Sequence, residues 1–233
     1  MSESILDVFR EDGFRLGDVA VIEYDRKRVD IYGTNYTHYL YKRSLESRPT
    51  DPYGTLPMTY CGFTDLSYDA ICAYHANKSL TCPIILLCVY ESPTVFTPLG
   101  YCFITEHIKT PNCNSAFAAF SFFREAWGTP EQTVLGMLGL AYLFTHYDLT
   151  AIHGQRYADN RLAARFMSQY GAKDCGTVPH LLRTHKGGLE PCTVSSLLRT
   201  DFELYCAREI LTLASEGIRH GQENQERPTV PEL

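Results

Sequence analysis

The residues best suited to bind an anion lie where a predicted strand leads into a predicted helix. Residues 115–123 form an aromatic and small-residue run of strand length that stops at polar turn residues. Thr129 then offers an N-cap hydroxyl, Pro130 fits the first helical position, and Gln132 completes a capping box. Because the first amides of a helix are free and its dipole favours negative charge, this junction predicts a general anion site.

A second strand-to-helix junction follows the first one along the chain. Residues 151–154 are predicted to form a short strand, residues 155–160 a polar turn, and residues 161 to about 170 a helix. Gly171 stands where a C-cap glycine belongs. Asn160 would open this helix, where an asparagine side chain can cap the first turn.

Together the two junctions resemble the GNAT superfamily of acyl-coenzyme A-dependent N-acyltransferases, in its ribosomal-protein-acetyltransferase-like branch. Members carry an asparagine that opens the last core helix, a small residue three positions later and a glycine eleven positions after the asparagine. These are Asn160, Ala163 and Gly171 in this chain. The long predicted helix 130–147, with its aromatic end, stands where such proteins hold the pyrophosphate-binding helix. The resemblance covers roughly residues 80–185.

The resemblance implies an α+β fold of three layers. Its central, mostly antiparallel mixed sheet would be splayed at one parallel strand pair, with helices on both faces. Strands 115–123 and 151–154 would form that pair, and the backbone of the first would receive the pantetheine arm of acetyl-coenzyme A. The implied cofactor-binding residues are Phe122, Phe123 and Arg124 beside the pantetheine, Gly128, Thr129 and Gln132 at the pyrophosphate, and Asn160 at the pantetheine.

Each of these residues also has a structural interpretation. Gly128 and Thr129 can form a turn and a cap, Asn160 can cap its own helix, and Trp127 can anchor the turn by packing. Trp127 and Thr129 occupy the two positions where the family's phosphate loop carries small residues. Met167 stands where many members have a tyrosine that acts as general acid.

Acyl transfer to an amine needs a neutral nucleophile, so a nearby group must accept its proton. Strand 115–123 contains no carboxylate, and the acceptor must come from elsewhere or act through water. The candidates are Glu106 and His107, which end the preceding strand, and Glu125, which lies just past the next. Each could instead be a solvated strand-end residue. His153 is predicted to be a core histidine with its hydrogen bonds satisfied.

The composition limits the class of protein. A chain of 233 residues with 45% hydrophobic content can bury one sizeable core. We predict a single domain over 1–220, with substrate-side elements in 1–80, an acyl-coenzyme A core in 81–200, and a disordered tail at 221–233. A net charge of −6 gives no support for binding to nucleic acid or an anionic membrane. We predict that the acidic N-terminus is neither a signal peptide nor a membrane anchor.

The nine cysteines show no pattern typical of a zinc site, and no metal is predicted. We interpret them as reduced residues of a cytoplasmic protein. The other predicted elements are a hairpin of strands 19–24 and 28–32, helix 64–75, strands 83–90 and 99–106, a loop containing Pro111 and Asn112, strands 177–183 and 193–199, and helix 201–218.

The sequence therefore favours an N-acyltransferase that moves an acetyl group directly from acetyl-coenzyme A to an amine of a small molecule or protein. One alternative is a noncatalytic GNAT-like binding or structural module. Another is a thiol-dependent enzyme with a Cys–His pair, although none of the cysteines stands at an evident helix start beside a histidine.

Overall fold

Eight strands form one mixed sheet in the computed structural model, which describes residues 6, 9, 10, 13–23, 85–92, 95–183 and 188–209. In spatial order they run β1-β2-β3-β4-β5-β6-β8-β7. The strands are β1 (Arg15–Leu16), β2 (Val19–Glu23), β3 (Ile85–Ser92), β4 (Val95–Thr110), β5 (Cys113–Phe122), β6 (Ala151–Tyr157), β7 (Lys173–Arg183) and β8 (Leu189–Leu198).

The sheet contains one parallel pair, formed by β5 and β6. The pair has only three rungs, which join Ser115 to Ala151, Ala116 to Ile152, and Phe117 to His153. Beyond the third rung β5 continues to Phe122 and β6 to Tyr157 without pairing to each other. The predicted α+β fold, with a sheet splayed at one parallel pair, is therefore confirmed.

The ends of several strands differ from the prediction. β4 is longer than predicted because it pairs with β3 along one edge and with β5 along the other. The predicted polar turn at 155–160 is wrong in its first half, since residues 155–157 pair with β8 and extend β6. Likewise, β7 and β8 begin four residues before their predicted starts. Such pairing is non-local, so strand length cannot be read from a local pattern.

Among the described residues, the helices α1 (Pro130–His146), α2 (Arg161–Gln169) and α3 (199–209) pack on one face of the sheet, together with the helical residues Leu6 and Phe9. Residues 135–145 of α1 are all buried. β3 is covered on both faces, because Ile85 and Leu87 join the cluster beneath α1 while Leu86 and Cys88 join the opposite one. Predicted strand 28–32, helix 64–75 and tail 221–233 lie outside the described residues.

Two glycines let α1 approach its neighbours closely. A Cβ added at Gly136 would lie 2.1 Å from the Tyr170 hydroxyl oxygen and 2.9 Å from the ring of Phe166. At Gly139 it would lie 3.0 Å from Phe120 on β5. The first glycine thus seats α2 against α1, and the second seats α1 against the sheet. Within the described part of the chain, no helix is long and apolar enough to cross a membrane.

Candidate functional site

A cavity of about 210 Å³ opens where β5 and β6 separate. The side walls come from the two splayed strands, and α2 covers one face. Its lining is mainly apolar, with five polar side chains. The lining residues are Thr105, Phe117, Ala118, Ala119, Phe120, Gly154, Gln155, Arg156, Asn160, Ala163, Phe166, Met167 and Ser195.

The backbone of β5 is available on the cavity side. The N–H of Phe123 donates to Leu99 on β4, whereas the carbonyl of Asn114 accepts from Thr150 on the β6 side. Since backbone groups alternate along a strand, the even-numbered residues of β5 face β6. Ala118 and Phe120 lie beyond the last rung, so their N–H and C=O groups have no ladder partner on that side among the described residues.

The turn after β5 is held by the predicted packing residue. Nε1 of Trp127 donates to the carbonyl of Phe122 over 2.9 Å, so Trp127 anchors this turn. The ring of Phe122 contacts Phe166 of α2, whereas Phe123 is buried on the opposite face beside Tyr101. Arg124 is exposed in a single 3-10 turn. None of the residues 122–124 lines the cavity itself.

The N-terminus of α1 forms the predicted capping box with one difference. Thr129 Oγ1 accepts from the N–H of Gln132 over 3.3 Å, but Gln132 Oε1 reaches past Thr129 and accepts from Gly128 over 2.8 Å. The N–H of Thr129 donates to Ala126, and Pro130 has no N–H to offer. Most amides at this helix start are therefore already bonded within the chain.

Asn160 caps α2 and also lines the cavity, so its position is compatible with both predicted roles, helix capping and cofactor binding. Its Oδ1 accepts from the N–H of Ala163 over 3.0 Å, which makes it the N-cap of α2. The residue is 1% exposed and lines the cavity. The side-chain nitrogen makes no hydrogen bond within the described residues, so it can still donate to a ligand.

Glu106 and His153 lie on one row across the sheet. Glu106 is in register with Phe117, and Phe117 with His153, at the last rung before the strands separate. Glu106 is exposed, while His153 is half-buried with its ring centroid 5.2 Å from that of Phe117. Burial lowers the pKa of His153 and favours the neutral imidazole. The prediction of a satisfied core histidine is wrong, because this ring makes no hydrogen bond within the described residues.

The other two candidate proton acceptors lie elsewhere. Nε2 of His107 is 2.7 Å from Oδ1 of Asn114, which can only accept, so the imidazole is the donor. His107 is in register with Ala116, a residue of the core beneath α1, which places it on the face opposite Glu106. Glu125 lies in the exposed 3-10 turn beyond the end of β5. Neither residue lines the cavity.

Arg156 and Ser195 form a polar wall on the β6 side of the cavity, and both bond to the mainly exposed Asp174. Asp174 accepts from Arg156 Nη2 over 2.6 Å and from Ser195 Oγ over 2.7 Å. Gly154 is in register with Ser195, and its missing side chain leaves room between this wall and Met167.

This polar wall was missed by sequence reasoning, because Arg156 fell in the predicted turn. Residues 193–198 alternate between buried and more exposed positions in the folded chain, but their sequence shows no matching polar and apolar alternation, so no sequence signal pointed to the wall.

The tyrosine closest in sequence to Met167 is not available as a proton donor. Tyr170 is fully buried and donates its hydroxyl to the carbonyl of Thr133 over 3.0 Å. Burial raises its pKa well above the ordinary value. Met167 itself lines the cavity, but a thioether carries no proton to donate.

A mixed sheet that opens at its single parallel pair is the arrangement that the GNAT resemblance implied. No family model matches the sequence, and no curated protein matches it. The chain is similar to RimJ of Mycobacterium smegmatis in complex with CoA-disulfide, with a TM-score of 0.63 and 14% identity, over 84% of this chain and 89% of that one. It is also similar to spermidine N-acetyltransferase of Vibrio cholerae in complex with CoA and spermine, with a TM-score of 0.60 and 14% identity, over 80% and 99% of the two chains. The chain therefore has the GNAT fold.

Proposed function

We propose that the protein is an N-acyltransferase that moves an acetyl group directly from acetyl-coenzyme A to an amine. The observation that carries this proposal is the cavity between the splayed strands, where the open backbone of Ala118 and Phe120 meets the buried side chain of Asn160. An open strand edge can accept an extended arm as an additional strand. The acyl-coenzyme A would supply the acetyl group as an activated thioester.

The chain's own groups have distinct roles in this proposal. The backbone of β5 binds the arm and polarises the acyl carbonyl through N–H groups, which stabilise developing negative charge. Asn160 donates from its side-chain nitrogen. Phe122, Phe123 and Arg124 border the path toward α1, where Gly128, Thr129 and Gln132 meet the pyrophosphate.

The acceptor amine must approach from the face that α2 leaves uncovered. α2 covers the cavity on its own side, whereas Glu106 and His153 lie in a row on the other face. Of the three candidate acceptors for the amine proton, we favour Glu106 over Glu125 and His107, because Glu106 alone lies in the row that ends at the splay. The acceptor is an amine of a small molecule or a protein. Polyamines are suitable first probes, since the Vibrio cholerae neighbour was crystallised with spermine.

Calorimetry with coenzyme A and acetyl-coenzyme A tests the binding step, and stabilisation that grows with ligand concentration is expected. Absence of any effect at millimolar ligand would rule the function out. Turnover should be followed by mass spectrometry of the acetylated amine, because the exposed Cys113 and Cys175 would react with a thiol reagent. We propose a cytoplasmic setting, in keeping with reduced cysteines such as the buried Cys88 and Cys102.

A second candidate function is a noncatalytic binding or structural module. Two observations favour it: the start of α1 is capped by the chain's own groups, and Met167 occupies the position of the family's general acid. Tight binding of coenzyme A without turnover of any amine in a broad panel would support this candidate.

A further inference from the structure

Acetyl transfer to an amine has to move two protons. An alkylamine with a pKa near that of lysine, about 10.4, arrives mainly as an ammonium ion at neutral pH. It loses one proton before its nitrogen can attack, and a second one once the new carbon–nitrogen bond has formed. The sulfur that leaves the acetyl group needs one proton in return. Glu106 is exposed and can release the first proton to solvent, so the second proton needs a separate group.

The cavity lining offers no group for the second proton. In the described part of the chain, Arg156 is the only ionisable residue of the lining, and a guanidinium does not give up its proton. Met167 carries no proton to donate, and the hydroxyl of Tyr170 is bonded to the carbonyl of Thr133 in the core. A protein group for this proton must therefore lie beside the cavity rather than in its lining.

His153 lies at the edge of the cavity, on the face of the sheet away from α2. Its partner across the last parallel rung, Phe117, and the next residue along β6, Gly154, both line the cavity. Glu106 stands two strands away on the same row, at a backbone separation of roughly 10 Å. The ring of His153 makes no hydrogen bond within the described residues, so both of its nitrogens can contact a substrate.

The acid strength of His153 suits a transfer to sulfur. The ordinary pKa is about 6.5 for a histidine and about 8.5 for a thiol, so an imidazolium gives its proton favourably to a thiolate. Burial lowers the pKa of His153, which increases this driving force and keeps the imidazole neutral, and so able to accept a proton, near pH 7. The strands on either side place Phe117 and Ser196 next to the ring, and neither side chain carries a charge.

We propose that His153 takes the second proton from the amine nitrogen and delivers it to the sulfur of coenzyme A. As the nitrogen forms its bond to the acetyl carbon, the carbon–sulfur bond breaks and its electron pair moves to sulfur. The imidazole accepts a proton from that nitrogen and returns one to the sulfur, so His153 ends in its starting form. This inference rests on the proposed function, and it assigns the two protons to two residues, Glu106 and His153.

Nuclear magnetic resonance of the histidine rings tests the contact with sulfur without requiring turnover. We expect coenzyme A to shift the ring nitrogen signals of His153, whereas desulfo-coenzyme A, which lacks only the sulfur, should shift them much less. His180, which is exposed on β7, is the internal control and should respond to neither ligand. Equal shifts of the His153 signals with both ligands, or no shift with either, would overturn the assignment.

Rates of acetyl transfer test the proton path itself. His153→Gln should lower kcat about a hundredfold, the lower end of what a positioned proton carrier contributes, with little change in KM for either substrate. Added imidazole should restore part of the rate of His153→Ala, and His180→Gln should match the wild type. Raising the pH toward the pKa of the amine should restore Glu106→Gln, because the amine then arrives without its first proton, but should not restore His153→Gln.

Failure of this inference differs from failure of the proposed function. If the wild-type protein acetylates an amine and folded His153→Gln does so equally fast, or if high pH restores both variants alike, His153 does not carry the second proton and the proposed function stands. If the wild-type protein acetylates no amine in a broad panel, or does not bind coenzyme A, both proposals fail. Thermal unfolding identifies a His153 variant that does not fold, in which case the magnetic resonance comparison on the wild-type protein decides.

Discussion

The N–H of Gly128 donates to Oε1 of Gln132 over 2.8 Å, so the third residue of α1 closes the turn that precedes the helix. Gly128 adopts a positive φ of 74°, a conformation that favours glycine. An incoming anion must therefore displace Gln132 before it can use this amide.

Changing Gln132 to glutamate should weaken coenzyme A binding. The added carboxylate would compete with the pyrophosphate for the same helix start, where a charge contributes about 0.3–1 kcal/mol, or roughly two- to fivefold in affinity. Calorimetry in low salt measures this loss. Gln169→Glu at the C-terminal end of α2 is the control and should bind like the wild type. Equal affinity in both variants would place the phosphate site elsewhere.

Glu106→Gln should lower the rate of acetyl transfer at least about tenfold, because the amide cannot accept the amine proton. Coenzyme A affinity should change little, since the residue lies on the face away from α2. Mass spectrometry of the product gives the rate, and Glu190→Gln on the exposed part of β8 serves as control. An unchanged rate would show that Glu106 is not the proton acceptor and would make His153 the next candidate.

His153 should make the protein less stable in acid. Burial lowers its pKa, so below the ordinary value of about 6.5 the unfolded chain binds a proton that the folded protein does not. The free energy of unfolding should therefore fall as the pH drops through that value and level off below the folded pKa. Urea titrations at about pH 7.5 and 5.5 should show a smaller fall for His153→Gln than for the wild type or for His180→Gln. Identical falls in all three proteins would disprove this contribution.

Gly136→Ala should destabilise the protein by about 1–3 kcal/mol, the usual cost of overpacking. The new methyl group would overlap the hydroxyl of Tyr170, which is fully buried and cannot move aside. Gly139→Ala is the matched control, since its closest contact is 3.0 Å and it should cost less. Because Tyr170 ends α2, Gly136→Ala should also weaken coenzyme A binding more than Gly139→Ala. Equal unfolding midpoints for the two variants would contradict this account.

The local parts of the structure were predictable from the sequence. The Thr129 cap and the Asn160 cap each depend on a few neighbouring residues, and the structure confirms both. The splayed pair was predictable only through the family resemblance, since no local pattern tells which strands lie side by side.

The parts that were missed depend on pairing between distant strands. Arg156 is buried because residues 155–157 pair with β8, and Asp174 reaches it from a third strand. The row of Glu106 and His153 similarly arises from two separate registers. Sequence reasoning named Glu106 as a candidate proton acceptor but could not place His153 on the same row.

The self-capped start of α1 also determines which thermodynamic signature binding should have. An anion that binds there replaces existing hydrogen bonds with new ones. The anionic end of the ligand therefore contributes little to the enthalpy of binding. Most of the affinity must then come from burying apolar surface against Phe117, Phe120 and Phe166. Binding should show a negative change in heat capacity and depend only weakly on ionic strength.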